Sequence, residues 1–204
     1  MHDHAHPIYL VRHGETAWNV EDRLQGRLDS PLTARGLAQA QGIGRALAPI
    51  LAALGNFALW ASPQGRAQAT LAAAAHSGRW NAGHALLDAR LAEITYGQWD
   101  GMSRREIEAA HPGMLDYRLR HHWSFVPPQG ESYAMVAARV VELLDAAIAE
   151  AQRQAVVIFS HGAVGRVLRG HYARLAWRQI VKLDEPQDAF YRLWRGKVER
   201  IEAA

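Results

Sequence analysis

The sequence of 204 residues contains no cysteine. This absence excludes disulfide bonds, thiolate metal sites and cysteine nucleophiles, although it does not fix the redox compartment. No segment approaches the roughly 18 uninterrupted apolar residues that a membrane span requires, and residues 1–7 lack the basic and apolar regions of a secretory signal. We therefore expect a cytoplasmic protein without a membrane partner, whose chemistry comes from His, Arg, Asp, Glu, Ser or Tyr.

Lysine is nearly absent and occurs only at positions 182 and 197, so almost all of the 23 basic residues are arginines. The planar guanidinium group suits bidentate recognition of phosphate or carboxylate, although an arginine-rich composition can equally reflect a GC-rich genome. Nucleic-acid binding calls for a clustered basic stripe with stacking aromatic residues, whereas these arginines are dispersed along the chain. With a formal net charge of only +3, the composition does not favour a nucleic-acid partner.

The length and the 49% hydrophobic content suffice for one sizeable core and are small for two, so we expect a single domain over residues 1–204. Short β-branched and aromatic runs alternate with segments of helical period. This alternation predicts an α/β three-layer sandwich, in which a mostly parallel central sheet has helices on both faces. The expected strands lie near residues 8–11, 57–61, 85–87, 155–159, 189–194 and 197–201, and the expected helices near residues 33–54, 65–76, 103–110, 132–152 and 163–172.

Three of the expected strands end in polar, reactive residues. They are followed by Arg12-His13-Gly14-Glu15, by Ser62-Pro63-Gln64-Gly65-Arg66 and by Ser160-His161-Gly162. Open α/β sheets bind ligands in the crevice beyond the carboxyl ends of their strands. We therefore expect these three distant segments to meet in one pocket.

Such a pocket would combine two guanidinium groups, one neutral imidazole and one cationic imidazole, which together suit a dianionic phosphate without a metal ion. Backbone N–H groups at the helix starts after Gly65 and Gly162 would add donors. A neutral imidazole is a good nucleophile toward phosphorus if a carbonyl holds its other nitrogen as N–H, and nearby arginines depress its pKa. A serine hydrolase is disfavoured, because Ser160 lacks the Gly-x-Ser-x-Gly motif.

Cleavage of a phosphate ester also needs a carboxylic acid that protonates the departing oxygen and later deprotonates water. Glu93 is the best candidate, because it lies among apolar residues that would raise its pKa. Asp100 and Glu106 lie nearby in the sequence and remain alternatives.

The segment Leu10-Val11-Arg12-His13-Gly14-Glu15-Thr16-Ala17-Trp18-Asn19, with its Arg-His-Gly core and downstream Asn, resembles the fingerprint of the histidine phosphatase superfamily, also called phosphoglycerate mutase-like. Further matches follow in the same order and cover nearly the whole chain. They lie at Arg23, Gln25-Gly26, Asp29 to Thr33, Arg35-Gly36, Ser62, Arg66, Thr70, Glu93 to Gly101, Pro128 to Ser132 and Ser160-His161-Gly162.

The resemblance implies a role for each matching residue, by its number in this sequence. His13 would be the phosphorylated nucleophile and Glu93 the proton donor. The remaining implied site residues are Arg12, Arg66, His161 and Asn19 around the phosphate, and Gln25 and Gly26 in a nearby loop. The four phosphate residues and Gly162, at its helix start, form the candidate phosphate site, whereas Gln25 and Gly26 are expected to bind the substrate.

The family contains phosphatases and mutases, and the choice between them rests on few residues. Mutases specific for phosphoglycerate resemble this chain around Tyr96 and Arg104, which would then bind the acid substrate. They are longer, however, and carry paired arginines shortly before a Pro-Pro step, where this chain has His121-His122 ahead of Pro127-Pro128. We therefore expect a phosphatase for small phosphorylated metabolites and keep a mutase as the alternative. The irregular segment of about 101–130 is expected to cap the site and set substrate choice.

Several further expectations complete the prediction. His2, His4 and His6 alternate as chelating residues do, but at a chain terminus we assign no metal site, and we expect no cofactor. Family likeness makes a homodimer plausible. A non-catalytic binding module is the remote alternative, since such a protein would be expected to have lost His13, Arg66 or His161, and all three are present. The roles of His121 and His122 stay open.

Overall fold

The computed structural model describes residues 4–203, so His2 of the alternating histidines lies outside the described residues. This part of the chain forms one six-stranded sheet and eight α-helices. The strands are β1 Ile8–Arg12, β2 Phe57–Ala61, β3 Leu86–Leu87, β4 Ala155–Ser160, β5 Ala189–Trp194 and β6 Lys197–Glu202. The helices are α1 Ala17–Val20, α2 Ala34–Leu54, α3 Gly65–Gly78, α4 Arg104–Ala110, α5 Met114–Arg120, α6 Tyr133–Glu150, α7 Gly162–Tyr172 and α8 Trp177–Ile180.

The strand order in the sheet is β3-β2-β4-β1-β5-β6, and the first four strands are parallel. Arg12 at the end of β1 pairs with Ser160 at the end of β4, so two of the reactive motifs start side by side. Strand β5 runs antiparallel to β1, with Phe190 opposite Val11. The residues that precede β5 therefore also lie at the carboxyl end of β1.

Alternate residues of each central strand face opposite layers of helices. Ile8 and Leu10 belong to the core under α6 and α7, whereas Tyr9 and Val11 belong to the core under α2 and α3. Because both faces are covered, β4 is buried along its whole length and reads as a continuous apolar run. The expected three-layer α/β sandwich is confirmed.

Local signals set the helix starts where the sequence predicts them. The Thr33 hydroxyl accepts a hydrogen bond from Gly36 N at 2.9 Å and caps α2. Ser103 and Glu106 form a reciprocal capping box at the start of α4. Within residues 4–203, no helix combines the length and apolar composition that crossing a bilayer requires.

The outer segment, residues 101–130, contains the short helices α4 and α5, which pack on a small separate core shared with residues that precede the segment. That core consists of Leu24, Trp99, Ile107 and Phe125, with the Trp99 and Phe125 rings stacked at 5.6 Å. The sequence pattern is weak from residue 116 onward, and the structure instead has a helix up to Arg120. Helices of four to seven residues, such as α1, α5 and α8, span too few turns to show a helical period.

Candidate active site

His13 lies directly after β1 and is held by the backbone on two sides. Its N–H donates to Ser160 O at 3.0 Å, and its ring Nδ1 lies 2.8 Å from Gly14 O. A carbonyl can only accept, so Nδ1 carries the hydrogen and Nε2 keeps its lone pair. The side chain is only 3% exposed and lines a cavity of about 260 Å³.

The surroundings keep this imidazole neutral. Burial lowers the pKa of His13 well below its ordinary value of 6.5, and the charges of Arg12 and Arg66 lower it further. The hydrogen bond to Gly14 opposes this shift only in part. A neutral ring with an available Nε2 is the form that can attack phosphorus.

Two arginines flank His13 from different strand ends. Arg66 donates to the carbonyls of Gly26 and Leu28, at 3.0 and 2.6 Å, and to Asp29 Oδ1 at 2.8 Å. Arg12 donates to Glu185 O. The Nε atoms of both arginines are buried and have no hydrogen-bond partner among the described residues.

His161 approaches His13 from the end of β4, with ring centroids 5.3 Å apart. Its Nε2 lies 2.7 Å from Ser62 Oγ, whereas its buried Nδ1 has no partner within residues 4–203. Burial, followed by the charges of Arg66, His13 and Arg12, lowers the pKa of His161 well below 6.5. The sequence predicts one cationic imidazole here, whereas burial, followed by the arginine charges, lowers the pKa of both histidines.

Three hydrogen-bond donors fix the orientation of the Asn19 side-chain amide. Its Oδ1 accepts from Thr16 N at 3.1 Å, from Thr16 Oγ1 at 3.2 Å and from Gln187 Nε2 at 3.1 Å. Because the oxygen is occupied, the amide nitrogen is the group that Asn19 can offer to a ligand in the cavity it lines.

The loop after α1 contributes Gln25 and Gly26 to the cavity wall. Gly26 has a φ of 52°, and a Cβ atom there would lie 1.6 Å from Asp100 Oδ1. Glycine is therefore required both by the backbone conformation and by the space. The Gly26 carbonyl accepts from Gln64 Nε2 at 2.8 Å and from Arg66 Nη2 at 3.0 Å, which fixes the loop beside the guanidinium group.

Glu93 lies in the same cavity, with its carboxylate at the start of α7. It accepts from Ile94 N, Ala163 N and Val164 N at 2.9, 3.2 and 3.4 Å. Burial raises the pKa of the Glu93 carboxyl, and the nearby Glu185 raises it further, while Arg66 and the N–H groups oppose the rise. The predicted upward shift has the predicted cause.

The two alternative acids have other structural roles. Asp100 accepts from Thr95 Oγ1, Tyr96 N and Arg27 N, so its carboxylate holds loops together. Glu106 is exposed, and its bonds to the backbone of Ser103 and to Arg23 lower its pKa to about 2. Neither of these two carboxylates lines the cavity, whereas Glu93 does.

The helix starts do not offer the N–H donors that the sequence predicts for phosphate. At α3, Gly65 N and Arg66 N donate to the Asp29 carboxylate at 2.7 and 3.2 Å. At α7, the N–H groups that follow Gly162 are bonded to Glu93. Gly162 itself lines a separate, smaller cavity, and a Cβ atom on it would lie 2.6 Å from Glu185 Oε1. The absence of a side chain at position 162 thus leaves room for the Glu185 carboxylate.

The outer part of the cavity is basic and aromatic. Tyr96 is half-buried and Arg104 is exposed, and both line the cavity as their predicted substrate-binding role requires. His122 also lines it, while its neighbour His121 is exposed and stacks on Tyr117 at 4.1 Å. The two histidines that the sequence left open thus face different surroundings.

Three residues near the site were missed in the sequence. Gln64 is buried and links two loops, since its Nε2 donates to Gly26 O and its Oε1 accepts from Glu93 N at 2.6 Å. Glu185 and Gln187 reach the site because β5 is antiparallel to β1. Gln64 lies within the motif that follows β2, so its position in the sequence could have identified it. No sequence pattern indicated the direction of β5, and Glu185 and Gln187 could not be identified in that way.

No three His, Asp or Glu side chains of residues 4–203 are grouped so that they would hold a metal ion.

Comparisons with known proteins agree on one family. A profile of the histidine phosphatase superfamily (branch 1) matches residues 8–193. The probable phosphoglycerate mutase GpmB of Erwinia tasmaniensis is 34% identical over 161 residues, which cover 79% of this chain and 72% of that protein.

Solved structures give the same fold. The mycobacterial glucosyl-3-phosphoglycerate phosphatase, in complex with VO3, is 26% identical and superposes with a TM-score of 0.76 over 97% of this chain and 98% of the other. The alpha-ribazole phosphatase of Shigella flexneri reaches a TM-score of 0.81 at 24% identity, over 97% of this chain and 96% of the other. At that identity, the second likeness concerns the fold alone.

Proposed function

Because this chain belongs to the histidine phosphatase superfamily, we propose that it hydrolyses small phosphomonoesters through a phosphoryl group carried on His13, without a metal ion. The observation that carries the proposal is a set of three buried nitrogen atoms, Arg12 Nε, Arg66 Nε and His161 Nδ1, which have no partner among the described residues. Buried donors are rarely left unpaired. The oxygens of a phosphoryl group at His13 would supply all three partners.

In the first step, His13 Nε2 attacks phosphorus, a P–N bond forms and the P–O bond to the leaving group breaks. The departing alkoxide takes the proton of the Glu93 carboxylic acid. With Ser62 donating its hydroxyl hydrogen to Nε2 of His161, the Nδ1–H of that neutral ring donates to a phosphoryl oxygen. The arginines stabilise the charge that spreads over the equatorial oxygens.

In the second step, water attacks the phosphohistidine and gives its proton to the Glu93 carboxylate. The P–N bond breaks, inorganic phosphate leaves and His13 returns to its neutral form. The raised pKa of Glu93 suits a group that must be an acid in one step and a base in the next. Both steps use groups of this chain, and we place the reaction in the cytoplasm.

A mutase is the second candidate, and the 34% identity to a probable phosphoglycerate mutase favours it. A mutase returns the phosphoryl group from the histidine to another hydroxyl group instead of to water. The same His13 and Glu93 would serve both reactions, so the outcome depends on whether the intermediate is reached by water or by a second hydroxyl group.

The test is a phosphate-release screen over a panel of phosphomonoesters in buffer with EDTA, on wild type and His13→Ala. We expect release by wild type and none above background by the variant. In parallel, ³¹P NMR follows the isomerisation of 3-phosphoglycerate. Isomerisation with little release would establish the mutase. Absence of turnover for every ester would overturn both proposals and leave the binding module.

A further inference from the structure

Gln187, two residues before β5, reaches the site from outside the cavity. Its side-chain nitrogen Nε2 lies 3.3 Å from the His13 carbonyl oxygen and 3.1 Å from Asn19 Oδ1. Among residues 4–203, His13 and Asn19 line the cavity but Gln187 does not. Gln187 therefore acts on a ligand only through the two residues that it bridges, and neither step of the proposed reaction uses it.

The direction of both hydrogen bonds follows from the His13 carbonyl. A carbonyl can only accept, so the Gln187 atom that faces it is the amide nitrogen, which carries two hydrogens. One hydrogen serves the His13 carbonyl and the other is left for Asn19, whose facing atom must then be the oxygen. The backbone N–H of Thr16, which can only donate, selects the same atom of Asn19. The NH2 group of Asn19 is thereby left for the cavity.

The donors to Asn19 Oδ1 come from two parts of the chain. Thr16 supplies two of them, but it is the N-cap of α1, the helix that contains Asn19. Its bonds therefore fix the amide relative to α1 and not relative to His13. Helix α1 has four residues, none of them buried, so packing holds it only weakly. Gln187 is the donor that links the Asn19 amide to the strand end where His13 lies.

The orientation of the Asn19 amide matters because of the charge at His13. A phosphoryl group presents anionic oxygens, to which an amide N–H donates a charge-assisted hydrogen bond and which an amide oxygen repels. A reversed Asn19 amide would therefore replace a hydrogen bond by a repulsion at the point where the phosphoryl charge develops.

We propose that Gln187 is a positioning residue, which holds the Asn19 amide so that its NH2 group donates to the phosphoryl group at His13. The inference rests on the proposed function and adds to it a residue that does not touch the substrate. Gln187 acts through Asn19, so its contribution should disappear when the Asn19 amide is removed.

Binding of orthovanadate, an analogue of the phosphoryl group in transfer, tests the proposal without turnover. Isothermal titration gives Kd for wild type, Gln187→Leu, Asn19→Ala and the double variant. Gln187→Leu should weaken binding by about 3- to 10-fold, the range for one neutral hydrogen bond, and Asn19→Ala by about 10- to 100-fold, the range for a bond to a charged group. In the Asn19→Ala background, Gln187→Leu should change Kd by less than about 2-fold.

Two further variants separate the donor from the shape of the side chain. Gln187→Glu keeps the shape but replaces the donor by an acceptor, so it should weaken vanadate binding at least as much as Gln187→Leu. Wild-type affinity in Gln187→Glu would contradict the proposal. Gln98→Leu is the matched control, because Gln98 is exposed and does not line the cavity, and it should keep the wild-type Kd. Thermal melts verify that all variants fold.

The outcomes distinguish this proposal from the proposed function. If Gln187→Leu weakens binding equally with and without the Asn19 amide, or has no effect in either background, the positioning role is wrong while the phosphatase stands. If wild type neither binds vanadate nor releases phosphate from any ester, the proposed function itself has failed.

Discussion

The inner half of the cavity and its outer segment are built in different ways. Around His13, most side chains are fixed by hydrogen bonds to strand ends or to the loops beside them, as with Nδ1 to Gly14 O and Arg66 to two carbonyls. The outer segment instead consists of two seven-residue helices on a four-residue core, with arginines at its surface. A rigid inner half suits chemistry common to every substrate, and a separately packed outer half can vary with the substrate.

This comparison predicts that changes in the inner half alter the reaction with all substrates, whereas changes in the outer segment alter their ranking. The largest effect is expected for Glu93→Gln, in the inner half. This variant should lower kcat/KM for alkyl phosphates by about 10²- to 10⁴-fold, the usual contribution of a general acid. Formation of the phosphoenzyme from p-nitrophenyl phosphate should suffer much less, because nitrophenolate leaves without a proton. Rapid kinetics on both esters measures the difference, and Glu106→Gln is the control.

Gln64→Leu tests whether the inner half depends on its buried links. The change removes the hydrogen bond from Glu93 N–H to Gln64 Oε1 and the bond from Gln64 Nε2 to the Gly26 carbonyl. Because the Glu93 carboxyl group is then misplaced, kcat should fall by about 10- to 100-fold, with KM little changed. Thermal melts should show a loss of about 1–3 kcal/mol. Gln68→Leu, at an exposed position of the adjoining helix α3, serves as the comparison. A loss confined to KM would mean that Gln64 does not position Glu93.

Phe125→Ala removes an aromatic ring from the small core of the outer segment and should cost about 3 kcal/mol. Because that core is separate, we expect faster hydrogen exchange in α4 and α5 but not in β4. Substrate preference should weaken, while p-nitrophenyl phosphate hydrolysis changes little. The exposed Val126→Ala is the control. Equal loss of protection in β4 would show that the two halves unfold together.

Glu185→Gln has the smallest expected effect and concerns the boundary between the halves. Glu185 raises the pKa of Glu93, so removal of its charge should lower that pKa. A general acid is lost as the pH rises through its pKa, and the alkaline limb of kcat/KM for an alkyl phosphate should therefore move to lower pH. Glu199→Gln, on the distant strand β6, should leave the profile unchanged. A shift to higher pH would contradict the account.

The inner half was predictable because its residues are contiguous with strands that the sequence marks clearly. Once Ile8–Arg12 and Ala155–Ser160 are adjacent and parallel, His13 and His161 must lie close together. Burial among arginines then determines the pKa direction of both rings. The cationic form expected for His161 was still wrong, because the burial that lowers its pKa most depends on packing that the sequence pattern does not give.

The outer segment and the residues before β5 were not predictable in the same way. The helix α5 has too few residues to show a helical period, so the sequence pattern did not predict that Arg118 is buried. Glu185 reaches Glu93 only because β5 is antiparallel, and a strand pattern does not encode its direction. The helix starts were also misjudged, since the sequence could not indicate that Asp29 and Glu93 already accept from their N–H groups.

A phosphoryl group on His13 is the intermediate on which the proposed function depends, and Glu93→Gln should trap it. With p-nitrophenyl phosphate, this variant forms the intermediate without an acid but lacks the base that activates water. We predict a burst of one nitrophenolate per enzyme molecule, together with an acid-labile, alkali-stable phosphoryl group that peptide mass spectrometry maps to His13. No burst and no phosphopeptide, or a label on His161, would contradict the account.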